Sequence, residues 1–220
     1  MPNATPLALD HLVLATPDLA ATTAAVGAAL GVLPSAGGVH VGMGTRNTLL
    51  ALGDGRYLEI IGVDPDQPAP SGPRPFGIDG MRGPRLLTWA ARTTDIDATV
   101  ASARGAGYDP GPARAMQRAT PQGAVLSWRL TMATVGAQPG GEPSVGVIPF
   151  LIDWGTSSHP SLSCTQGARL VSLTCTSPDP ASVATQLGAL GLQSHLTVTS
   201  GPVAALTAVI AGPAGTFTCS

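Results

Sequence analysis

Apolar and polar positions along the chain repeat one pattern: a short apolar strand, a polar capping segment and a helix. The pattern occurs at residues 9–32, 86–109 and 170–192. In each copy an apolar run precedes a Thr/Ser-(Pro/Thr)-Asp segment, and a stretch with helical spacing then ends near glycine. Three copies of the same supersecondary unit indicate an internal repeat.

The polar segments predict where the helices begin. Ser and Thr are favoured at helix N-caps, and proline is favoured at the first helical position. We therefore expect Thr16 and Ser177 to cap the first and third helices, each followed by its proline. In the second copy, Thr93 or Thr94 is expected to take this role.

Each predicted helix is followed by further apolar strands. The segments are 38–44, 47–52 and 56–63 in the first copy, 124–131 and 147–154 in the second, and 195–198, 205–211 and 215–220 in the third. The unit is therefore predicted to be βαβββ. We expect an α+β fold in which repeated units form a curled mixed sheet around a cleft, with the third unit shortened. The first unit is expected to pair with the second, and pairing with the third is the alternative.

A glutamate lies in the middle of an apolar strand. The segment "NTLLALGDGRYLEIIGV" (47–63) predicts two strands joined by a tight turn at Asp54-Gly55, and Glu59 is one of only two glutamates in the chain. A buried carboxylate needs a cation or hydrogen-bond donors as partners. His11, on the first strand, can meet Glu59 if both side chains face the same concave side of the sheet.

Composition and charge exclude several functional classes. All eleven basic residues are arginine, so Schiff-base chemistry and the P-loop are ruled out. The net charge is −2 without a basic cluster, and we expect neither nucleic acid nor a membrane as a partner. Three cysteines without metal-type spacing and an amino terminus without a secretory pattern predict a cytoplasmic protein whose thiols have no chemical role.

The segment "LDHLVLATPDL" (9–19), with a glutamate in the fourth strand of a βαβββ unit, resembles the vicinal-oxygen-chelate superfamily. That superfamily includes glyoxalase I, extradiol dioxygenases and bleomycin-resistance proteins. The run "GGVHVGMGTRNTLLALGDGRYLEIIG" (37–62), with "RPFGID" (74–79) and "IPFLIDWGTSSHP" (148–160), is similar to the bacterial-type subgroup of glyoxalase-like domain proteins. The resemblance covers nearly the whole chain. It implies paired units over 8–157, a third unit packed on them over 166–220, and a homodimer.

The resemblance also implies a set of metal ligands. In metal-dependent members, a histidine or glutamate on the first strand and a glutamate on the fourth strand of each unit point at a divalent ion. Carried over to this chain, the first unit supplies His11 and Glu59. The second unit supplies Thr88 and either Phe150 or Ile152, so two of the four expected ligands are missing.

A candidate for the third metal ligand lies near the end of the second unit. His159 follows the last predicted strand and would complete a set of two histidines and one carboxylate with His11 and Glu59. Such a set suits zinc, iron, manganese or nickel. The alternatives are a linker histidine at position 159 and a cleft that holds no metal.

Four further residues are predicted to bind substrate. His40 lies in a glycine-rich segment, and Arg46 and Asn47 follow it closely. A guanidinium and an amide that point into a cleft would suit a substrate carboxylate. Trp154 is expected to form part of the cleft wall.

Two functions remain open at this point. One is a metal-assisted lyase, isomerase or dioxygenase that acts on a small oxygen-rich substrate. In that class His11 and Glu59 hold the ion, or Glu59 acts as the base. The other is a metal-free protein of the bleomycin-resistance type that binds or sequesters a small molecule.

Overall fold

The computed structural model describes residues 7–119, 123, 125–132 and 143–220. Within these ranges the chain forms three successive βαβββ units. The first contains β1 (Ala8–Thr16), α1 (Leu19–Leu30), β2 (Ser35–His40), β3 (Thr45–Ala51) and β4 (Tyr57–Val63). The second contains β5 (Arg85–Arg92), α2 (Ile96–Gly105), β6 (Ala113–Ala119), β7 (Val125–Thr131) and β8 (Phe150–Asp153). The third contains β9 (Arg169–Ser177), α3 (Pro180–Ala189), β10 (Thr197–Ser200), β11 (Ala205–Gly212) and β12 (Gly215–Cys219).

The first two units close into one barrel. Its strand order is β1-β4-β3-β2-β6-β7-β8-β5, and the third unit forms a separate four-stranded sheet, β10-β9-β11-β12. Strands β1 and β4 are parallel, as are β5 and β8, while β1 and β5 run antiparallel and join the two units. The predicted α+β fold with a curled mixed sheet is confirmed. The described strands also show that the first unit pairs with the second.

Aspartates cap all three helices. Asp18, Asp95 and Asp179 each accept a hydrogen bond from the backbone N–H three residues further on. The predicted caps were therefore wrong by one or two residues. Thr16, Thr93 and Ser177 instead accept a hydrogen bond from the backbone N–H of the capping aspartate, and Thr94 is not the cap of α2. None of the helices in the described ranges is long and apolar enough to cross a bilayer.

One barrel strand was not predicted from the sequence. Strand β6 has the sequence ARAMQRA, which carries one large apolar residue and no β-branched residue. It pairs with β7 over its full length and contacts β2 at its end. Because its neighbours supply the pairing, this segment forms a strand without the apolar alternation that reveals strands in sequence. The second unit is therefore complete.

The predicted turn between β3 and β4 is confirmed. Asp54 and Gly55 have φ values of 50° and 69°, as a tight hairpin turn with two left-handed central residues requires. The Arg56 N–H donates to the Gly53 carbonyl at 2.9 Å and closes the turn. This hairpin fixes the register that places Leu49 opposite Glu59.

The three cysteines are free thiols and all are buried. Burial raises the pKa of the Cys164 thiol to about 11 and that of Cys219 to about 12. Burial also raises the pKa of Cys175. These thiols stay protonated at neutral pH and are therefore poor nucleophiles and poor metal ligands.

The third unit packs against α1 through its last hairpin. The Ala214 N–H donates to the carbonyl of Leu30, the last residue of α1, at 3.0 Å. Gly212 lies so close that an added Cβ would be 2.8 Å from the Leu30 Cβ and would overlap the Leu30 carbonyl oxygen. The contact between the third unit and α1 therefore requires glycine at position 212.

We expect Gly212→Ala to lower the free energy of unfolding by about 1–3 kcal/mol, because the new methyl group meets backbone that cannot move aside. Gly188→Ala in α3 is the matched control, since a Cβ there meets nothing within 4 Å. The control is expected to be neutral or to stabilise by up to about 1 kcal/mol, as alanine does in a helix. Urea denaturation of both variants measures the difference. Equal stability of the two variants would contradict the close contact.

Candidate functional site

The barrel encloses a cavity of about 500 Å³. Most of its wall is apolar, and the second unit contributes Met116, Trp128, Leu130, Phe150 and Ile152. The polar side chains come mainly from the first unit, which contributes His11, His40, Asn47 and Glu59. A mostly apolar cavity of this size with a few polar groups is typical of small-molecule sites.

The structure brings His11 and Glu59 together. β1 and β4 are parallel neighbours, and both side chains line the cavity. His11 Nε2 lies 3.7 Å from Glu59 Oε2, and the imidazole stacks on the ring of Tyr57 with centroids 4.6 Å apart. The two side chains are 4% and 13% exposed. An imidazole nitrogen and a carboxylate oxygen therefore face the same enclosed space.

A buried aspartate next to His11 was not among the predicted site residues. Strand alternation predicts that neighbouring residues face opposite sides, but β1 has an irregularity here: Leu9 pairs with Ala91 and His11 pairs with Ala90. Asp10 is the extra residue of this bulge, and bulges redirect side chains. Its carboxylate is fully buried, and Oδ1 lies 2.6 Å from His11 Nδ1.

Asp10 also binds two side chains that follow β8. Its Oδ2 lies 2.9 Å from His159 Nε2 and 3.2 Å from the Trp154 indole nitrogen, which donates to it. Burial by itself would raise the pKa of Asp10, but the hydrogen bonds from His11 and His159 outweigh it and hold that pKa well below its usual value. An ionised carboxylate only accepts hydrogen bonds, so each histidine donates to it.

His11 and His159 donate to Asp10 through different ring nitrogens. Donation to Asp10 places a proton on His11 Nδ1, and in the corresponding neutral tautomer the Nε2 lone pair points towards Glu59 and the cavity. His159 donates through Nε2, and its Nδ1 contacts the Ser161 hydroxyl at 2.7 Å and accepts from the Ser161 backbone N–H at 3.3 Å. Both nitrogens of His159 thus have protein partners, whereas one nitrogen of His11 remains available to a ligand.

Asn47 positions Glu59. The amide oxygen accepts from the Gly38 N–H at 2.7 Å, and the amide nitrogen donates to Glu59 Oε1 at 2.6 Å. Gly37 leaves room for this side chain, because a Cβ at that position would overlap the Asn47 oxygen. The same amide nitrogen lies 3.4 Å from His40 Nε2. Glu59 Oε1 is therefore already bonded, and Oε2 is the free oxygen.

His40 lines the cavity as a neutral imidazole. Its Nδ1 lies 3.0 Å from the Thr45 hydroxyl, and its Nε2 is 3.9 Å from Glu59 Oε1. Burial lowers the pKa of His40, and the Arg118 guanidinium lowers it further although Glu59 acts in the opposite direction. A neutral His40 accepts the second hydrogen of the Asn47 amide.

The arginine that lines the cavity is Arg118, whereas the sequence predicted Arg46. Arg46, predicted to bind substrate, is not part of the cavity wall, and its guanidinium lies 3.1 Å from Asp66 and 3.5 Å from Asp64. It precedes Asn47 on β3, and strand alternation directs its side chain to the other face. Arg118 on β6 lines the cavity instead and is 7% exposed.

The donor set does not match a conventional protein metal site. Among the described residues, no group of three or more His, Cys, Asp or Glu side chains is arranged to hold an ion. Glu59 Oε1 and both nitrogens of His159 have protein partners. The second unit presents Phe150 and Ile152 where the resemblance implies a ligand. Two free donor atoms remain, His11 Nε2 and Glu59 Oε2, whereas zinc sites use three or four protein ligands.

Comparison with protein families identifies the class. The model of the glyoxalase-like domain family matches residues 9–191. The chain therefore belongs to the glyoxalase-like domain family. The resemblance to the vicinal-oxygen-chelate superfamily that the sequence suggested is confirmed.

Comparison with solved structures gives several matches, and the first of those described here supports the fold. A hypothetical protein from Staphylococcus aureus is 13% identical with a TM-score of 0.65, and the match covers 97% of this chain and 99% of that one. Methylmalonyl-CoA epimerase from Mycobacterium tuberculosis is 22% identical, with a TM-score of 0.39 over 68% of this chain and 91% of that chain. A mutant of 4-hydroxymandelate synthase from Streptomyces coelicolor is 18% identical, with a TM-score of 0.46 over 97% and 62%. A search of curated proteins finds no significant match.

We expect Asp10→Asn to lower the free energy of unfolding at pH 7 by at least about 2 kcal/mol, because hydrogen bonds to a buried carboxylate are lost. The pKa of Asp10 is depressed in the folded state, so its contribution is present above the unfolded pKa of about 4 and is lost as the pH falls below it. The difference between wild type and variant should therefore shrink below about pH 4. Denaturation at several pH values measures this difference in the free energy of unfolding.

Asp66→Asn, at an exposed carboxylate, is the control and should change stability little at any pH. A stability difference between wild type and Asp10→Asn that does not depend on pH would contradict a buried, ionised Asp10.

Proposed function

We propose that the protein is an isomerase or lyase that moves a proton on a small carbonyl compound bound in the barrel cavity, with Glu59 as the base. The observation that carries the proposal is the pair formed by Glu59 Oε2 and His11 Nε2, 3.7 Å apart at the cavity wall. Neither atom has another hydrogen-bond partner among the described residues. The Glu59 carboxylate is held in place through Oε1, and its Oε2 is free. Such a carboxylate is suited to proton abstraction.

The chemistry requires no external oxidant or reductant. Glu59 Oε2 removes a proton from a carbon next to a carbonyl group, and the electron pair of the broken C–H bond moves to the carbonyl oxygen. Return of the proton to a different position or face gives an isomer. If the adjacent carbon carries a leaving group, the electron pair expels it and the reaction is an elimination.

The surrounding residues have supporting roles in this proposal. Asn47 holds Oε1 and thereby aims Oε2 at the substrate. Asp10 holds the His11 ring with its lone pair towards the cavity, where it accepts a hydrogen bond from a substrate hydroxyl or takes the proton from Glu59. His159, predicted as a metal ligand, is assigned to hold Asp10.

A binding or sequestering protein is the second candidate function. The mainly apolar wall, which includes Trp128, Trp154 and Met116, favours it. Aromatic and methionine side chains bind apolar ligands without a requirement for chemistry. Binding without proton exchange distinguishes this candidate from the first.

We expect the wild-type protein to catalyse exchange of solvent deuterium into a small oxo acid at the carbon next to its carbonyl group. A panel of 2-oxo and 3-oxo acids is incubated in D₂O and followed by ¹H NMR. Glu59→Gln should slow the exchange at least about 100-fold, because general bases contribute at least that much. Asp66→Asn removes an exposed carboxylate and is the control with wild-type exchange. Binding of a panel member without exchange would reject the enzyme in favour of the binding protein.

We expect untagged protein purified from metal-replete medium to contain well under one equivalent of zinc, iron, manganese or nickel. The reason is the two-atom donor set of His11 and Glu59. Elemental analysis of wild type and Glu59→Gln measures it. A stoichiometric ion in wild type that is lost in Glu59→Gln would overturn the metal-free mechanism and restore the metal-assisted one.

A further inference from the structure

We propose that Arg118 is an anion-binding residue of the cavity and that the natural ligand is an organic acid with an apolar body. The inference deepens the proposed function, on which it rests, by naming the chemical class of the ligand. It assigns the carboxylate-binding role, predicted for Arg46, to a side chain on the strand that the sequence did not reveal.

Arg118 is a buried cation that has no partner among the described residues. The residue is 7% exposed, and its Nη1 is buried with no hydrogen-bond acceptor in that part of the chain. Among the described residues it forms no ion pair. An arginine stays charged at any accessible pH, and a buried charge without compensation is costly to the folded state. A bound anion would supply the missing partner.

Arg118 lies on the second unit, whereas His11 and Glu59 lie on the first. Among the described residues of the cavity wall, it is the one guanidinium and Glu59 is the one carboxylate, and they do not pair with each other. Arg118 lies on β6 of the second unit, and Met116, two residues earlier on the same strand, also lines the cavity. The site thus has a positive group on one unit and a proton acceptor on the other.

The charge of Arg118 affects the pKa of two side chains in the cavity wall. It contributes to lowering the pKa of His40, where burial is the largest cause, and it opposes the rise that burial causes in the pKa of Tyr57. Both of these side chains line the cavity. A ligand anion entering this region therefore meets a positive potential in a low-dielectric environment, where charge-assisted hydrogen bonds are strong.

The arrangement defines the ligand. Its carboxylate pairs with Arg118, in bidentate geometry if two guanidinium nitrogens take part. Its apolar body contacts the aromatic and methionine wall. Its reactive carbon lies at Glu59. A neutral analogue of the same shape leaves Arg118 unpaired and binds more weakly.

The test uses three acids, benzoate, phenylacetate and 3-phenylpropionate, each compared with its neutral amide by isothermal titration calorimetry. We expect wild type to bind at least one acid about 10-fold or more tighter than its amide. Arg118→Gln should remove this preference. Arg46→Gln is the matched control, because it removes a guanidinium outside the cavity, and it should keep the preference. Wild type without any acid preference, or the same loss in both arginine variants, would overturn the inference.

Thermal unfolding without ligand gives a second measurement. Because Arg118 is a buried cation with no partner among the residues that the structure describes, Arg118→Gln should have a Tm equal to or above that of wild type. A lower Tm or an unfolded variant would show that the guanidinium has a structural partner and would contradict the inference. Glu59→Gln should keep the acid preference, so loss of deuterium exchange with retained preference rejects the proposed chemistry alone. Exchange with no acid preference rejects the role of Arg118 alone.

Discussion

The buried carboxylate of Asp10 is the interaction on which the site depends. It lies on β1 of the first unit, and it binds His11 there and the Trp154 and His159 side chains that follow β8 of the second unit. A buried charge is tolerated when several groups compensate it; here three hydrogen-bond donors do so, and the Arg92 guanidinium lies 3.6 Å from Oδ2. One carboxylate thus links side chains from both halves of the barrel and sets which nitrogen of His11 faces the cavity. The bulge in β1 redirects the Asp10 side chain so that it can make these contacts next to His11.

The two halves of the duplicated barrel contribute different kinds of side chain to the cavity. The first unit supplies His11, Asn47 and Glu59, and the second unit has the apolar Phe150 and Ile152 where the fourth-strand glutamate would stand. The two units share backbone pairing, so their side chains can differ without loss of closure. Within the described wall, the second unit adds one charge, Arg118. In the function proposed above, the second half binds the ligand anion through Arg118 and the first half carries out the proton transfer.

The sequence predicted the repeat, because hydrophobic periodicity reports strands and helices directly. The resemblance to the vicinal-oxygen-chelate superfamily implied the curled mixed sheet and the approach of His11 to Glu59 within it. It did not reveal Asp10, since alternation places a residue beside His11 on the opposite face unless a bulge intervenes. It did not reveal Arg118, since β6 lacks apolar alternation and is paired by its neighbours. The positions of Arg46 and Asn47 shortly after His40 predicted that both bind substrate, but adjacent residues on a strand point to opposite faces.

Internal hydrogen bonds decide what the site offers to a ligand. Asn47 occupies one oxygen of Glu59, Asp10 occupies one nitrogen of His11, and His159 has partners at both nitrogens. Each of these bonds removes a donor or acceptor atom from the set available to an ion and at the same time fixes the orientation of what remains. Among the described cavity residues, the groups left over are Glu59 Oε2, His11 Nε2 and the guanidinium of Arg118. Such a set is better matched to an organic acid with a removable proton than to a divalent ion, because the acid satisfies both the acceptors and the guanidinium of Arg118.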